Sequence, residues 1–124
     1  MKVVIIDDNE MTRMLLRTTF VAAGHEVAGE ASNATNGYEQ AIRLVPDLVC
    51  LDIVLPDGSG IDVLKQIKSA HPKMIVLMVS GERGATTIKE CLASGASGFI
   101  LKPFNQATVL NSVNDAVMRL LLVP

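Results

Sequence analysis

The chain has 124 residues, 49% of them apolar and 19% charged, which suits one globular domain over residues 1–124 and excludes a disordered segment. A net charge of −2 offers no basic footprint, so direct nucleic-acid binding is not expected. The start, Met1-Lys2 followed by four apolar residues and two aspartates, is too short for a signal peptide, and no apolar run approaches the ~20 residues of a membrane span, so a cytoplasmic protein without a membrane partner is expected.

Lys2 to Asp7 opens the chain as a continuous β-branched run, the pattern of a strand buried on both faces of a parallel sheet. Met11, Met14, Leu15, Thr18 and Ala22 then recur at helical spacing, with Leu16 and Phe20 beside them. Glu10 suits the first turn of this helix and Gly24 its end. Glu26 to Ala31 is a weaker second strand containing Gly29, expected near a sheet edge. A second helix lies between about Thr35 and Leu44, where Asn33, Thr35 and Asn36 are each suited to cap it and Gly37 fits its first turns poorly.

Pro46 closes that helix and opens the third strand, whose apolar run Leu48 to Leu51 leads into Asp52 as its last residue. The loop after it holds the turn formers Pro56, Asp57, Gly58 and Gly60. Ile61, Leu64, Ile67 and Lys68 pattern a third helix that stops before Pro72. Met74 to Val79 is a fourth apolar strand ending at Ser80, followed by a loop with Gly81 and Gly84. Ile88, Cys91 and Leu92 mark a fourth helix, Gly98 to Leu101 a fifth strand, and Val109, Val113, Ala116, Val117 and Leu120 a fifth helix. Cys50 and Cys91 fall inside regular elements without metal-ligand spacing and read as small buried hydrophobes.

Strands alternating with helices imply an α/β fold: a doubly wound, five-stranded parallel sheet with helices on both faces, set by right-handed crossovers. In such a sheet the carboxyl ends of the strands share one edge, where ligands bind. Asp7, Asp8, Asp52, Ser80 and Lys102 all fall at strand ends and so converge there. Three carboxylates against one ammonium leave an excess of negative charge that a hard divalent cation offsets, and all-oxygen donors favour Mg²⁺. Taken singly each residue is an ordinary turn, cap or solvated group, and Asp8 is a candidate N-cap for the first helix.

Together these residues closely resemble the receiver domain of two-component response regulators. Asp7-Asp8, Asp52, Pro56, Gly60, Ser80, Gly95-Ala96, Gly98-Phe99 and Lys102-Pro103-Phe104 carry the resemblance over essentially the whole chain. It implies the flavodoxin-like strand order 2-1-3-4-5. It also implies Asp52 as phosphoacceptor from a histidine kinase or phosphotransfer protein, with Mg²⁺ held by Asp7, Asp8, Asp52 and the backbone carbonyl of Val54. Lys102 would neutralise the phosphoryl oxygens, Ser80 would bond one of them after transfer, and Phe99 would be the switch aromatic. Lys102-Pro103 is expected to be cis. The output face would be the fourth helix, fifth strand and fifth helix, read by an effector protein or domain.

Self-catalysed phosphotransfer and slow self-dephosphorylation are the only chemistry expected, because Val54 supplies no polar group to a hydrolytic water and Glu82 is acidic. The apolar stretch from Met118 to Pro124 is expected to need a cover, which points to a dimer interface or a continuing chain, and Pro124 fits a linker. A haloacid-dehalogenase-type phosphohydrolase is the rival reading, weakened because Asn9 stands where that family needs a second Asp. A pseudo-receiver that only binds partners is opposed by the presence of Asp52, Ser80 and Lys102.

Overall fold

The computed structural model describes residues 1–122. Its elements are β1 (Lys2–Ile6), α1 (Glu10–Ala22), β2 (Glu26–Ala31), α2 (Ala34–Leu44), β3 (Leu48–Leu51), β4 (Val54–Leu55), β5 (Gly58–Ser59), α3 (Gly60–Ala70), β6 (Ile75–Ser80), α4 (Ala85–Ala93), β7 (Gly98–Leu101) and α5 (Gln106–Leu122). The five longer strands form one parallel sheet in the order β2-β1-β3-β6-β7, which is 2-1-3-4-5 when only they are counted. The edge position expected for the second strand is its position in the sheet. The two-residue strands β4 and β5 pair antiparallel in the loop after Asp52, where the sequence reading had only a turn-rich loop.

Why the central strands read as unbroken apolar runs is visible in the packing. On one face Val3, Ile5, Leu48, Cys50, Ile75, Leu77 and Val79 meet Leu16 and Phe20 of α1 and Val109, Val113 and Ala116 of α5. Alternate residues Val4, Ile6, Val49, Leu51, Val76 and Met78 face Ala41 of α2, Ile61, Leu64 and Ile67 of α3, and Cys91 of α4. Both faces are covered, so both sets of side chains must be apolar. Each fully buried Ile, Leu or Phe contributes about 1.5–3 kcal/mol before its ordering entropy is subtracted.

Two readings of α1 are corrected. Met11, Met14 and Leu15 are exposed, and the buried stripe is Thr12, Leu16, Thr19 and Phe20. The N-cap is Asn9, whose side chain accepts from the Thr12 N–H at 2.9 Å, so Asp8 is not spent on capping. For α2 the cap is Asn33, which accepts from the Asn36 N–H at 2.8 Å. Gly37 is needed for contact: a Cβ there would lie 2.6 Å from the Ile6 side chain, so α2 sits against β1 only because this residue has none. The apolar tail expected to need a cover is exposed at Met118, Leu120, Leu121 and Leu122, while Val123 and Pro124, with the expected linker, lie outside the described residues. Among the described residues no helix is long and apolar enough to cross a membrane.

Gly37→Ala is therefore expected to lower unfolding free energy by about 1–3 kcal/mol, the usual cost of overpacking. Gly81→Ala, where no atom lies within 4 Å of the added carbon, should change it by less than about 0.5 kcal/mol. Urea melts of the two variants check the contrast.

Candidate functional site

The sheet ladder runs one residue past β1, β3 and β7 and so fixes the main chain of Asp7, Asp52 and Lys102. The Asp7 N–H donates to Ala31 O at 3.0 Å, the Asp52 N–H to Ile6 O at 2.9 Å, and the Lys102 N–H to Ser80 O at 2.9 Å. Asp7, Asp52 and Lys102 thus stand just beyond β1, β3 and β7, where the sequence reading had Asp7 and Asp52 as the last strand residues; Ser80 does end β6. All of them lie at the carboxyl edge, and their side chains have little freedom to leave it.

Charge is concentrated there. Carboxylate oxygens of Asp7, Asp8 and Asp52 all lie within 4.8 Å of one another, with Asp7 and Asp52 buried and Asp8 exposed. Lys102 Nζ sits 2.9 Å from Asp7 Oδ2 and 3.1 Å from Asp52 Oδ2, so one ammonium serves two carboxylates. Asp7 Oδ1 accepts from the Asn9 N–H at 2.9 Å, and Asp52 Oδ1 has the Val54 N–H at 3.4 Å. Asp7 Oδ2, although paired in charge with Lys102, is buried without an aligned hydrogen bond.

Burial is the largest influence on Asp7 and raises its pKa above 3.8; the Asn9 N–H and Lys102 work against it, and the charge of Asp52 adds to it. For Lys102 burial pulls the pKa down, but Asp7 and Asp52 together outweigh it and hold the ammonium above its ordinary value. The two shifts agree in meaning: the site carries more negative charge than Lys102 neutralises. A buried carboxylate oxygen without an aligned hydrogen bond, an exposed second aspartate and a donor set made only of oxygen fit a hard divalent cation such as Mg²⁺.

The remaining expected residues fall as follows. Ser80 is buried at the end of β6, and its hydroxyl accepts from the Glu82 N–H at 3.1 Å. Phe99 is half-buried and packs against the α2–α3–α4 side of the core. The Lys102–Pro103 peptide is cis. The Val54 side chain is exposed in β4. Gly60, the first residue of α3, is forced by contact, because a Cβ would run into the Asp52 carbonyl oxygen. A surface cavity of about 600 Å³ opens at the opposite edge of the sheet between Met1, Val45, Met74 and Leu120, away from these carboxylates.

Two basic residues that the sequence reading passed over brace the site from outside. Arg13 donates to Asp7 O at 2.7 Å, and Arg83 to Lys102 O at 2.9 Å. Both reach main-chain carbonyls across elements, and a contact of that kind leaves no mark in residue type or spacing.

The model of the response regulator receiver domain matches residues 3–114. Chemotaxis protein CheY of Thermotoga maritima is 36% identical over 113 residues, covering 91% of this chain and 94% of that protein. The virulence regulator BvgA of Bordetella pertussis is 37% identical over 117 residues, 94% of this chain but 56% of its own length. Among solved structures, a CheX–CheY–BeF3–Mg²⁺ complex from Borrelia burgdorferi superposes with a TM-score of 0.91 at 30% identity, covering 94% of this chain and 88% of that one.

The charge excess predicts a trade between stability and chemistry. A raised Asp7 pKa means that the native state holds that proton more tightly than the unfolded chain. Its ionisation therefore removes stability as pH rises through the interval above 3.8. Asp7→Asn should melt above wild type at pH 7 without Mg²⁺, and the gap should close as pH falls toward 4. Thermal melts across that range, with and without Mg²⁺, check the sign.

Proposed function

The chain belongs to the response regulator receiver domain family, whose general function is phosphorylation-dependent switching, and on that footing we propose that Asp52 is its phosphoacceptor. The observation that carries the reading is the cluster of Asp7, Asp8 and Asp52 oxygens within 4.8 Å, with the Lys102 ammonium on Asp52. Receiver domains are signalling modules and not classical enzymes. The chemistry proposed for residues 1–124, taken as one receiver unit, is limited to accepting and slowly losing a phosphoryl group.

In the proposed transfer, an Asp52 oxygen attacks the phosphorus of a phosphohistidine. The P–N bond breaks, the imidazole nitrogen keeps the electron pair, and Asp52 becomes an acyl phosphate. Asp7, Asp8, Asp52 and the Val54 carbonyl would hold Mg²⁺, which supplies positive charge to the phosphoryl oxygens when bound. The Mg²⁺ and BeF3 named in the Borrelia complex support that choice for this chain. Lys102 is already at the acceptor oxygen, so its ammonium needs little movement to follow charge onto the phosphoryl group.

Phosphorylation replaces one negative charge on Asp52 with two and adds acceptor oxygens. Ser80 leaves the Glu82 N–H for a phosphoryl oxygen, and the loop after β6 follows it. Phe99 turns into the space this vacates, and the face made of α4, β7 and α5 changes for its reader. The proposed partners are a histidine kinase or phosphotransfer protein as donor, and an effector protein or domain as receiver of the signal, with a second copy of the chain as a candidate cover for the apolar end of α5. The cytoplasm, where ATP is present to charge a kinase histidine, is the proposed location. A haloacid-dehalogenase-type reading is disfavoured because Asn9, where that chemistry needs an Asp, is used as the α1 cap.

Incubation with Mg²⁺ and acetyl phosphate should add one phosphoryl group to the wild type by intact mass and none to Asp52→Asn. A wild type that gains no mass sinks the reading. Val54→Asn, which places an amide where a hydrolytic water would be held, should shorten the lifetime of the phosphorylated protein severalfold; an unchanged lifetime contradicts the role given to Val54.

A further inference from the structure

The β4–β5 hairpin is two residues per strand, too short to hold its own shape in water. Yet it delivers the Val54 N–H to Asp52 Oδ1, the oxygen that Lys102 does not engage. Its base is closed by a hydrogen bond from the Gly60 N–H to Ile53 O at 2.6 Å. Its tip is held elsewhere. The Asp57 carboxylate reaches across to α2, where Oδ1 accepts from the Ala34 N–H at 2.6 Å and Oδ2 from the Thr35 N–H at 3.0 Å and the Thr35 hydroxyl at 2.8 Å.

Ala34 and Thr35 are the first two residues of α2, and their N–H groups have no partner within the helix. Asn33 caps the next free donor, that of Asn36, so Asp57 completes the set from a different loop. An anion on free amides at the positive end of a helix makes charge-assisted bonds. Those amides, led by that of Ala34, hold the Asp57 pKa below its ordinary value, so at neutral pH the carboxylate is a pure acceptor.

Building on Asp52 as phosphoacceptor, we propose that Asp57 is a positioning residue for the transfer: it clamps the hairpin tip to the N-terminus of α2 and thereby holds the Val54 N–H against Asp52. The path is continuous, from the α2 amides through Asp57 and the hairpin to Val54 and the reactive carboxylate. A hairpin fixed at its base alone would let its tip pivot and carry Val54 with it. Asp57 touches neither phosphoryl group nor acceptor, so its effect is on geometry.

Three proteins test it: wild type, Asp57→Ala and Asp57→Asn, each given acetyl phosphate and Mg²⁺ while mass gain is followed, with amide NMR spectra recorded without Mg²⁺. Asp57→Ala should slow phosphorylation about five- to tenfold, within the range small misplacements cost. It should shift the Val54 amide and speed its exchange, while amides of β1 and β6 stay in place. Asp57→Asn keeps a side-chain oxygen on the helix amides and should recover more than half of the lost rate. An alanine variant that matches wild type in rate and in the Val54 amide overturns the clamp, as does an asparagine variant no better than alanine. If the wild type takes up no phosphoryl group, the acceptor reading fails instead, and the Val54 amide alone then decides whether the hairpin is clamped.

Discussion

Lys102 presents one ammonium to two buried carboxylates, 2.9 Å from Asp7 and 3.1 Å from Asp52, and the arrangement holds only while three strands keep their register. Burying charge costs more than a pair returns unless the geometry is enforced. Here the sheet enforces it: the ladder N–H groups of Asp7, Asp52 and Lys102 are each bonded to a neighbouring strand. A one-residue slip of β1, β3 or β7 would send a charged side chain to the opposite face and into the core. The unbroken apolar strands and the charged edge therefore depend on each other. The core fixes the register, and the register makes a crowded anionic site tolerable.

Crowding gives the site its use. With Asp7 raised by burial and Lys102 shared, the carboxylate cluster is short of positive charge. A divalent cation would relieve that shortage, and a phosphoryl group on Asp52, which adds negative charge, would deepen it. The main-chain braces set which parts can respond. Arg13 holds the Asp7 carbonyl from α1, whereas Arg83 links the loop after β6 to the Lys102 carbonyl. Arg83 thus ties the loop after β6 to the segment that follows β7.

Much of this was legible in the sequence, and the parts that were not share a cause. Apolar runs ending in Asp7, Asp52, Ser80 and Lys102 announce a parallel sheet with chemistry at one edge, because strands buried on both faces admit polar residues only at their ends. The boundaries shifted by a residue at Asp7 and Asp52, where the ladder bond continues but the strand does not. In α1 both Met11-Met14-Leu15 and Leu16-Phe20 are apolar, so spacing alone could not choose a face; packing on β1, β3 and α5 buried Leu16 and Phe20. The β4–β5 hairpin is too short to show periodicity. Arg13, Arg83 and the partners of Asp57 depend on which loops the fold brings together, and residue type does not encode that. Gly37 looked like a flaw in a helix and is a contact between α2 and β1.

If this converging edge governs the chemistry, Asp52 and no neighbouring acid is the reactive carboxylate. Borohydride reduces an acyl phosphate to an alcohol and so converts a phosphorylated aspartate to homoserine at the position that carried the group. After treatment with acetyl phosphate and Mg²⁺, reduction and peptide sequencing by mass spectrometry should find homoserine at position 52 alone. Homoserine at 7, 8 or 57, or at no position in a protein that has gained a phosphoryl group, would contradict the account.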